Sequence, residues 1–131
     1  MVNRFGSRYA VRSFGDVAVI DAPSDSDDTG AHGLRLLVER LAADGHRAVV
    51  LNLSDVRRLG VAGLGALLNA CTAAARAGLT LHAVCPPRSP IALMVLAKVV
   101  TCIDVHGCEA DAFAALDVDG KRRATSMRRV A

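Results

Sequence analysis

The stretch from Ala48 to Leu68 (AVVLNLSDVRRLGVAGLGALL) constrains the fold of this chain more than any other segment. It begins with an apolar run at 49–53 that is short enough to be one strand buried on both faces. Polar residues follow at 54–58, and then glycines alternate with aliphatic residues at 60–65, a segment that we call the elbow. Beyond the elbow, apolar residues recur at spacings of three and four, which places them on one stripe of an α-helix. The stretch therefore predicts a buried strand, a glycine-rich turn and a helix.

Hydrophobic patterning on either side of this stretch predicts further strands and helices. The helix after the elbow is expected to end at Gly78, since glycine readily adopts the left-handed conformation that closes a helix. The other predicted elements are a hairpin at 9–14 and 17–20, helices at 31–43, 90–100 and 109–116, and strands at 79–85 and 102–105. Strands that alternate with helices are typically parallel and joined by right-handed crossovers. We therefore predict an α/β fold with a mixed, mostly parallel β-sheet backed by about four helices.

Composition and charge narrow the class of protein. A chain of 131 residues fits one domain, and a hydrophobic content of 52% supplies a core. Aromatic residues make up only 3% of the chain and Trp is absent, so the stacking platforms that bind single-stranded nucleic acid are not expected. The net charge of +3 resides in residues 117–131, which hold five Lys or Arg and two Asp, whereas residues 1–116 hold eleven basic and eleven acidic residues. A broad basic face for nucleic acid is therefore not expected either.

Polarity divides the chain into a flexible N-terminus at 1–7, a folded domain at 8–116 and a basic, disordered tail at 117–131. No run of residues is apolar enough for a signal peptide, and none reaches the roughly 20 residues of a membrane span. We therefore expect a cytoplasmic protein that does not enter the membrane.

The signatures of catalysis and metal binding are incomplete. The glycine order of the elbow, G-x-x-G-x-G, is neither the dinucleotide fingerprint nor a P-loop, and the chain has no G-x-S-x-G nucleophile motif. Gly63 and Gly65 are expected instead to permit a tight turn and close packing. Asp25, Asp27 and Thr29 alternate as in a calcium loop, but the loop lacks its glutamate. Because the cysteines form no CxxC pair and the histidines show no ligand spacing, we expect neither an enzyme nor a bound metal or cofactor.

The segment from Val49 to Pro87 resembles the STAS domain of anti-sigma-factor antagonists. The resemblance extends over about residues 8–116 and is most specific at the glycine–leucine–glycine of the elbow. It implies a STAS-like fold, with a central mixed sheet backed by helices. Where the family has Asp-Ser-Ser-Gly, this chain has Gly60-Val61-Ala62-Gly63, so the position of the family's phosphorylated serine is occupied by Ala62.

The resemblance also implies a function. In the family, the unphosphorylated elbow binds an anti-sigma factor, often a protein kinase of the histidine-kinase ATPase type, and phosphorylation ends the binding. By resemblance, this chain would bind an anti-sigma factor and so release a sigma factor, without the serine switch. It would then be either a permanently competent antagonist or a protein with a different partner or signal. The partner-binding residues expected on this basis are Asp27, Asp55, Arg57, Arg58, Gly60, Val61, Ala62, Gly63 and Leu64.

Two alternatives stay open. One is a redox-gated antagonist, in which Cys108 lies near the start of the last helix, where the helix dipole lowers the pKa of a thiol, and Cys102 and Cys71 are the other candidate thiols. The other is a STAS module that senses a lipid or nucleotide ligand. Ser54 and Thr72 are hydroxyls near the elbow, but neither matches the position of the family's serine.

Overall fold

The computed structural model describes residues 9–23, 30–58, 60–90, 92 and 103–116. Within these ranges the elements, in chain order, are β1 (Ala10–Phe14), β2 (Val17–Asp21), α1 (Gly30–Ala43), β3 (Ala48–Asn52), α2 (Val61–Ala77), β4 (Thr80–Val84), β5 (Asp104–His106) and α3 (109–116). The predicted α/β class is confirmed, with three helices in the described part where about four were expected for the whole chain. The predicted helix at 90–100 lies almost wholly outside the described residues, as do the segments at 1–7 and 117–131.

The strands form one sheet in the order β1-β2-β3-β4-β5. β1 and β2 make an antiparallel hairpin, and its turn contains Gly15 at a φ of 64°, in the left-handed region. Each later strand pairs in parallel with the strand before it, so that Val50 of β3 lies between Val19 of β2 and His82 of β4. The mixed, mostly parallel sheet is thus as predicted.

The central strand β3 is buried on both faces, as its apolar run predicts. Val49 and Leu51 pack into a large cluster with the apolar sides of α1 and α2. Val50 faces the other way, into a smaller cluster with Ala112 and Leu116 of α3. Helices α1 and α2 therefore cover one face of the sheet, and α3 contributes to the cover on the other.

Polar and aromatic contacts tie α3 to the hairpin. The guanidinium of Arg12 donates hydrogen bonds to Asp21 at 2.7 Å and to Glu109 at 2.8 Å, and the first of these, reinforced by the second, raises the pKa of Arg12. The rings of Phe14 and Phe113 meet edge to face, with their centroids 5.6 Å apart. These contacts link β1, the first strand of the sheet, to the last described helix.

The site discussed below lies where the parallel strands end. Strands β2, β3 and β4 run in the same direction, so the turns that follow them, at 22–23, 53–58 and 85–90, lie at one edge of the sheet. We call this the carboxyl edge. In open α/β sheets such an edge is the usual place for a binding crevice.

Candidate functional site

The loop between β3 and α2 is anchored by buried side chains. Leu53 and Val56 are fully buried, and the N–H of Leu53 donates to the C=O of Val84 at 2.8 Å. The side-chain oxygen of Asn52 accepts the N–H of Ser54 at 2.9 Å, a local turn that Asn often makes. These contacts fix the loop on the carboxyl edge and leave its polar side chains outside. Among the described residues of the loop, the exposed side chains are those of Ser54, Asp55, Arg57 and Arg58.

Helix α2 begins directly after Gly60, whose backbone is extended, with φ −87° and ψ −169°. The C=O of Gly60 accepts the N–H of Leu64 at 2.9 Å. Gly60 offers no side-chain cap, and the first turn of α2 contains no acidic residue. The first backbone N–H groups of the helix have no carbonyl acceptor within the helix, so they are left to water or to another molecule.

The elbow turns its first helical residues outward and the next ones inward. Val61 is 91% exposed, far more than the next large hydrophobic side chain among the described residues, Phe14 at 51%. Ala62 is exposed as well, whereas Gly63 is buried and Leu64 is half-buried against the core. Of the elbow residues predicted to bind a partner, Val61 and Ala62 are therefore accessible and Gly63 is not.

The elbow glycines are part of the helix. The expectation that Gly65 serves a tight turn or close packing is wrong, since it lies inside α2 without a positive φ, and a Cβ at this position would meet no atom within 4 Å. Because α2 already begins at Val61, Gly63 too is helical. The left-handed glycines of the described residues are Gly15, Gly45 and Gly78.

A groove on the carboxyl edge joins the turns that follow β2, β3 and β4. Its volume is about 720 Å³, and its lining includes Pro23, residues 54–57 and residues 88–90. A second groove, of about 550 Å³, shares Ser54 and Arg88 with the first and extends to residues 107–109. The turn after β4 is a part of this surface that sequence reasoning missed. The rule that parallel strands share one carboxyl edge would have pointed to it.

Among the described residues, the arginines of the carboxyl edge lack the ion pairs that those of β1, of α1 and of the turn before β3 make, and Arg76 in the last turn of α2 lacks one too. The described arginines with a carboxylate partner are Arg12, Arg35, Arg40 and Arg47, at N–O distances of 2.7 to 3.3 Å. Within the described part of the chain, no carboxylate pairs with Arg57, Arg58 or Arg88. Positive charge is thus left unpaired on the same edge as the elbow.

The candidate redox cysteines occupy different environments. Cys71 is half-buried and packs against the core, as its place on the apolar stripe predicts, and Cys108 is exposed immediately before α3. Cys85 is buried, and burial raises the pKa of its thiol. None of these three cysteines forms a disulfide within the described structure. Because Cys102 lies outside the described residues, redox gating stays a prediction.

The remaining predicted groups are placed as follows. Asp27, together with the calcium alternative at Asp25, Asp27 and Thr29, lies outside the described residues. Thr72 is exposed on α2, and its hydroxyl donates to the C=O of Leu68 at 3.2 Å, an ordinary helical contact. Where the structure is described, no group of His, Cys, Asp or Glu could hold a metal ion, and no helix has the length and apolar character to cross a membrane.

Comparison with known sequences gives one family. The family model described as the STAS domain matches residues 8–112. No curated protein sequence gives a significant match to this chain.

Solved structures of similar fold include anti-sigma factor antagonists. An anti-sigma factor antagonist from Mycobacterium paratuberculosis is 25% identical, with 88% of this chain and 97% of that chain covered and a TM-score of 0.60. A Thermotoga maritima protein proposed to be such an antagonist shares 18% identity, over 82% of this chain and 92% of its own, with a TM-score of 0.66. The antagonist SpoIIAA in its unphosphorylated form shares 11% identity, over 83% and 96% of the two chains, with a TM-score of 0.65.

Proposed function

This chain belongs to the STAS domain family, and on that basis we propose that it acts as an anti-sigma-factor antagonist by binding a protein, without catalysis. The partner is an anti-sigma factor, and binding it frees the sigma factor that it holds. The contact is made by five of the exposed residues of the elbow and the loop before it, namely Asp55, Arg57, Arg58, Val61 and Ala62, which we call the docking surface.

The exposure of Val61 is the observation that carries this proposal. A valine that is 91% exposed at the start of a helix contributes almost nothing to the core of its own chain. Fully burying such a side chain against a partner would stabilise the complex by about 1.5 kcal/mol or more. The groove lined by Asp55 and Arg57, of about 720 Å³, gives the partner a concave surface to fill.

The docking surface has no hydroxyl at its centre. Ala62 occupies the position of the family's phosphorylated serine and is exposed. Where the anti-sigma factor is a protein kinase of the histidine-kinase ATPase type, it finds no acceptor there. The repulsion and desolvation that a phosphate of about −1.5 to −2 charges would bring to the contact therefore cannot arise at this position. The antagonist is always competent to bind, and its activity follows the amounts of the two proteins.

The test is a calorimetric titration of the full chain with purified anti-sigma factors encoded in the source genome. We expect Ala62→Asp to weaken binding at least about tenfold, because it places a charge in the contact that the partner must desolvate. Ala62→Ser should bind like the wild type and, with a kinase-type partner and ATP, should become phosphorylated.

The matched control for Ala62→Asp is Asn69→Asp, which adds the same charge at an exposed position in the middle of the same helix. Its affinity should equal that of the wild type. If Ala62→Asp bound as tightly as Asn69→Asp, the elbow would not be the contact, and if no anti-sigma factor bound at all, the antagonist function would be wrong.

A further inference from the structure

We infer that the partner of the docking surface is acidic: it presents carboxylates to Arg57, Arg58 and Arg88 around an apolar pocket that receives Val61. This inference rests on the proposed function, since it describes the chemistry of the protein that docks there. It goes beyond the proposed function by specifying the charge that the partner carries at the contact.

The first argument is the distribution of ion pairs. Each described arginine of the hairpin and of α1 has a carboxylate within 3.3 Å, as does Arg47 before β3, whereas Arg76, in the last turn of α2, has none in the described part of the chain. On the carboxyl edge, Arg57, Arg58 and Arg88 have none among the described residues, although they are exposed. A guanidinium carries five donors in a rigid planar fork that matches a carboxylate. The donors of these arginines are therefore unused by the described fold.

The second argument is that these charges share the carboxyl edge with an exposed apolar side chain. Arg57 and Arg88 line the same groove, although they come from different turns. Arg58 is three residues before Val61, the most exposed large hydrophobic side chain described. Asp55 is the one carboxylate in the described lining of that groove, so its two arginines leave an excess of one positive charge. A buried apolar centre with a charged rim is the usual anatomy of a protein interface, in which the rim charges select the partner.

A protein fits this surface better than a nucleic acid does. Nucleic-acid sites for single strands combine cations with exposed aromatic side chains, and the chain contains only one Tyr, three Phe and no Trp. The described residues of the docking surface include none of them. An exposed aliphatic side chain has no use in phosphate binding but fits an apolar pocket on a protein.

The first experiment measures the affinity of the anti-sigma factor for charge-reversed variants. Arg57→Glu with Arg58→Glu should weaken binding at least tenfold, and Arg88→Glu severalfold. The matched control is Arg76→Glu, since Arg76 is also exposed and without a carboxylate partner among the described residues, but lies in the last turn of α2. Its affinity should change less than twofold. Equal effects of all these reversals, or none, would overturn the inference.

The second experiment needs no anti-sigma factor. The ¹⁵N-labelled full chain is titrated with hexaglutamate at low salt, and amide shifts are read residue by residue, so that binding to the basic residues of 117–131 is scored separately. We expect shifts at residues 57, 58, 61 and 88, none at residue 76, and their loss when about 0.5 M salt screens the charges. Larger shifts at the same residues with the oligonucleotide dT12 would identify a nucleic acid instead and overturn the inference.

The acidic residues Asp25, Asp27 and Asp28 provide a direct control, because they follow β2 in the sequence and lie outside the described residues. If hexaglutamate shifted residues 57, 58 and 88 only after these aspartates were replaced by Asn, the chain would neutralise its own arginines and the inference would be wrong.

The failure of the proposed function and the failure of the inferred partner chemistry can be told apart. If Ala62→Asp lost binding but the arginine reversals did not, the inference of an acidic partner would be wrong and the antagonist function would stand. If hexaglutamate bound at residues 57, 58 and 88 but no anti-sigma factor bound the chain, the antagonist function would be wrong and the preference for an acidic partner would stand.

Discussion

The two ends of α2 differ in how they are capped and in how much apolar surface they expose. At its C-terminal end, Gly78 is left-handed at φ 71°, its N–H bonds back to the carbonyls of Ala74 and Ala75, and the next residue, Leu79, is buried. At its N-terminal end, Gly60 provides no side-chain cap and Val61 is 91% exposed. One end is closed within the chain and contributes to its stability. The other end has no side-chain cap and exposes an apolar side chain, as the proposed contact with a partner requires.

The largest expected difference between the two ends comes from truncating an aliphatic side chain at each. Leu79 is only 6% exposed, so Leu79→Ala should lower the free energy of unfolding by about 2–4 kcal/mol through lost burial and the cavity left behind. Val61→Ala should change it by less than about 0.5 kcal/mol, as surface substitutions usually do. Urea unfolding of both variants measures the difference. Similar losses would mean that Val61 also supports the fold, which would remove the reason for its assignment to a docking surface.

Alanine substitutions at Gly65, within α2, and at Gly78, directly after it, should change the free energy of unfolding in opposite directions. Gly78→Ala should lower the free energy of unfolding by about 1 kcal/mol, because an alanine is strained at a φ of 71°. Gly65→Ala should raise it by about 0.5–1 kcal/mol, since the added methyl group meets no atom within 4 Å and alanine favours the helix. Thermal unfolding measures both. A destabilising Gly65→Ala would show that the elbow needs glycine at this position after all.

The smallest effect on stability is expected at the N-terminal end itself. Val61→Asp puts a carboxylate in the first turn of α2, which should stabilise the helix by about 0.3–1 kcal/mol through its dipole. The same variant should bind the anti-sigma factor less tightly, because it removes the exposed apolar side chain of Val61 and adds a negative charge that the carboxylates of the proposed partner would repel. Chemical unfolding and calorimetry on one protein sample give the two values. If stability and affinity rose together, the N-terminal end would not be kept for binding.

Much of the fold follows from local patterns. The apolar run at 49–53 predicted a strand buried on both faces, and Val49 and Val50 do face opposite clusters. The glycine at position 78 predicted the end of α2, and Gly78 does adopt the left-handed conformation there. In each case the signal lies in a few neighbouring residues, because periodicity and turn conformation are local properties of the backbone.

The candidate site was predicted only in part. The sequence pointed to the elbow, but it did not show that α2 begins at Val61, which makes Gly63 and Gly65 helical and turns Gly63 inward. Arg88 was missed for a different reason. It is thirty residues after Arg58 in the sequence, and only the shared carboxyl edge of β3 and β4 brings its turn to the groove lined by Arg57.

The sequence by itself determined the α/β class and the elements around the elbow, because each is written in residue types at fixed spacings. Only the tertiary structure decided which residues meet. It placed His82 of β4 and His106 of β5 with ring nitrogens 2.9 Å apart, although their spacing in the chain suggested no relation. It also decided that Val61 stands exposed while Gly63 is buried. Exposure and proximity depend on how strands pair and where a helix packs against the sheet, and those are properties of distant parts of the chain acting together.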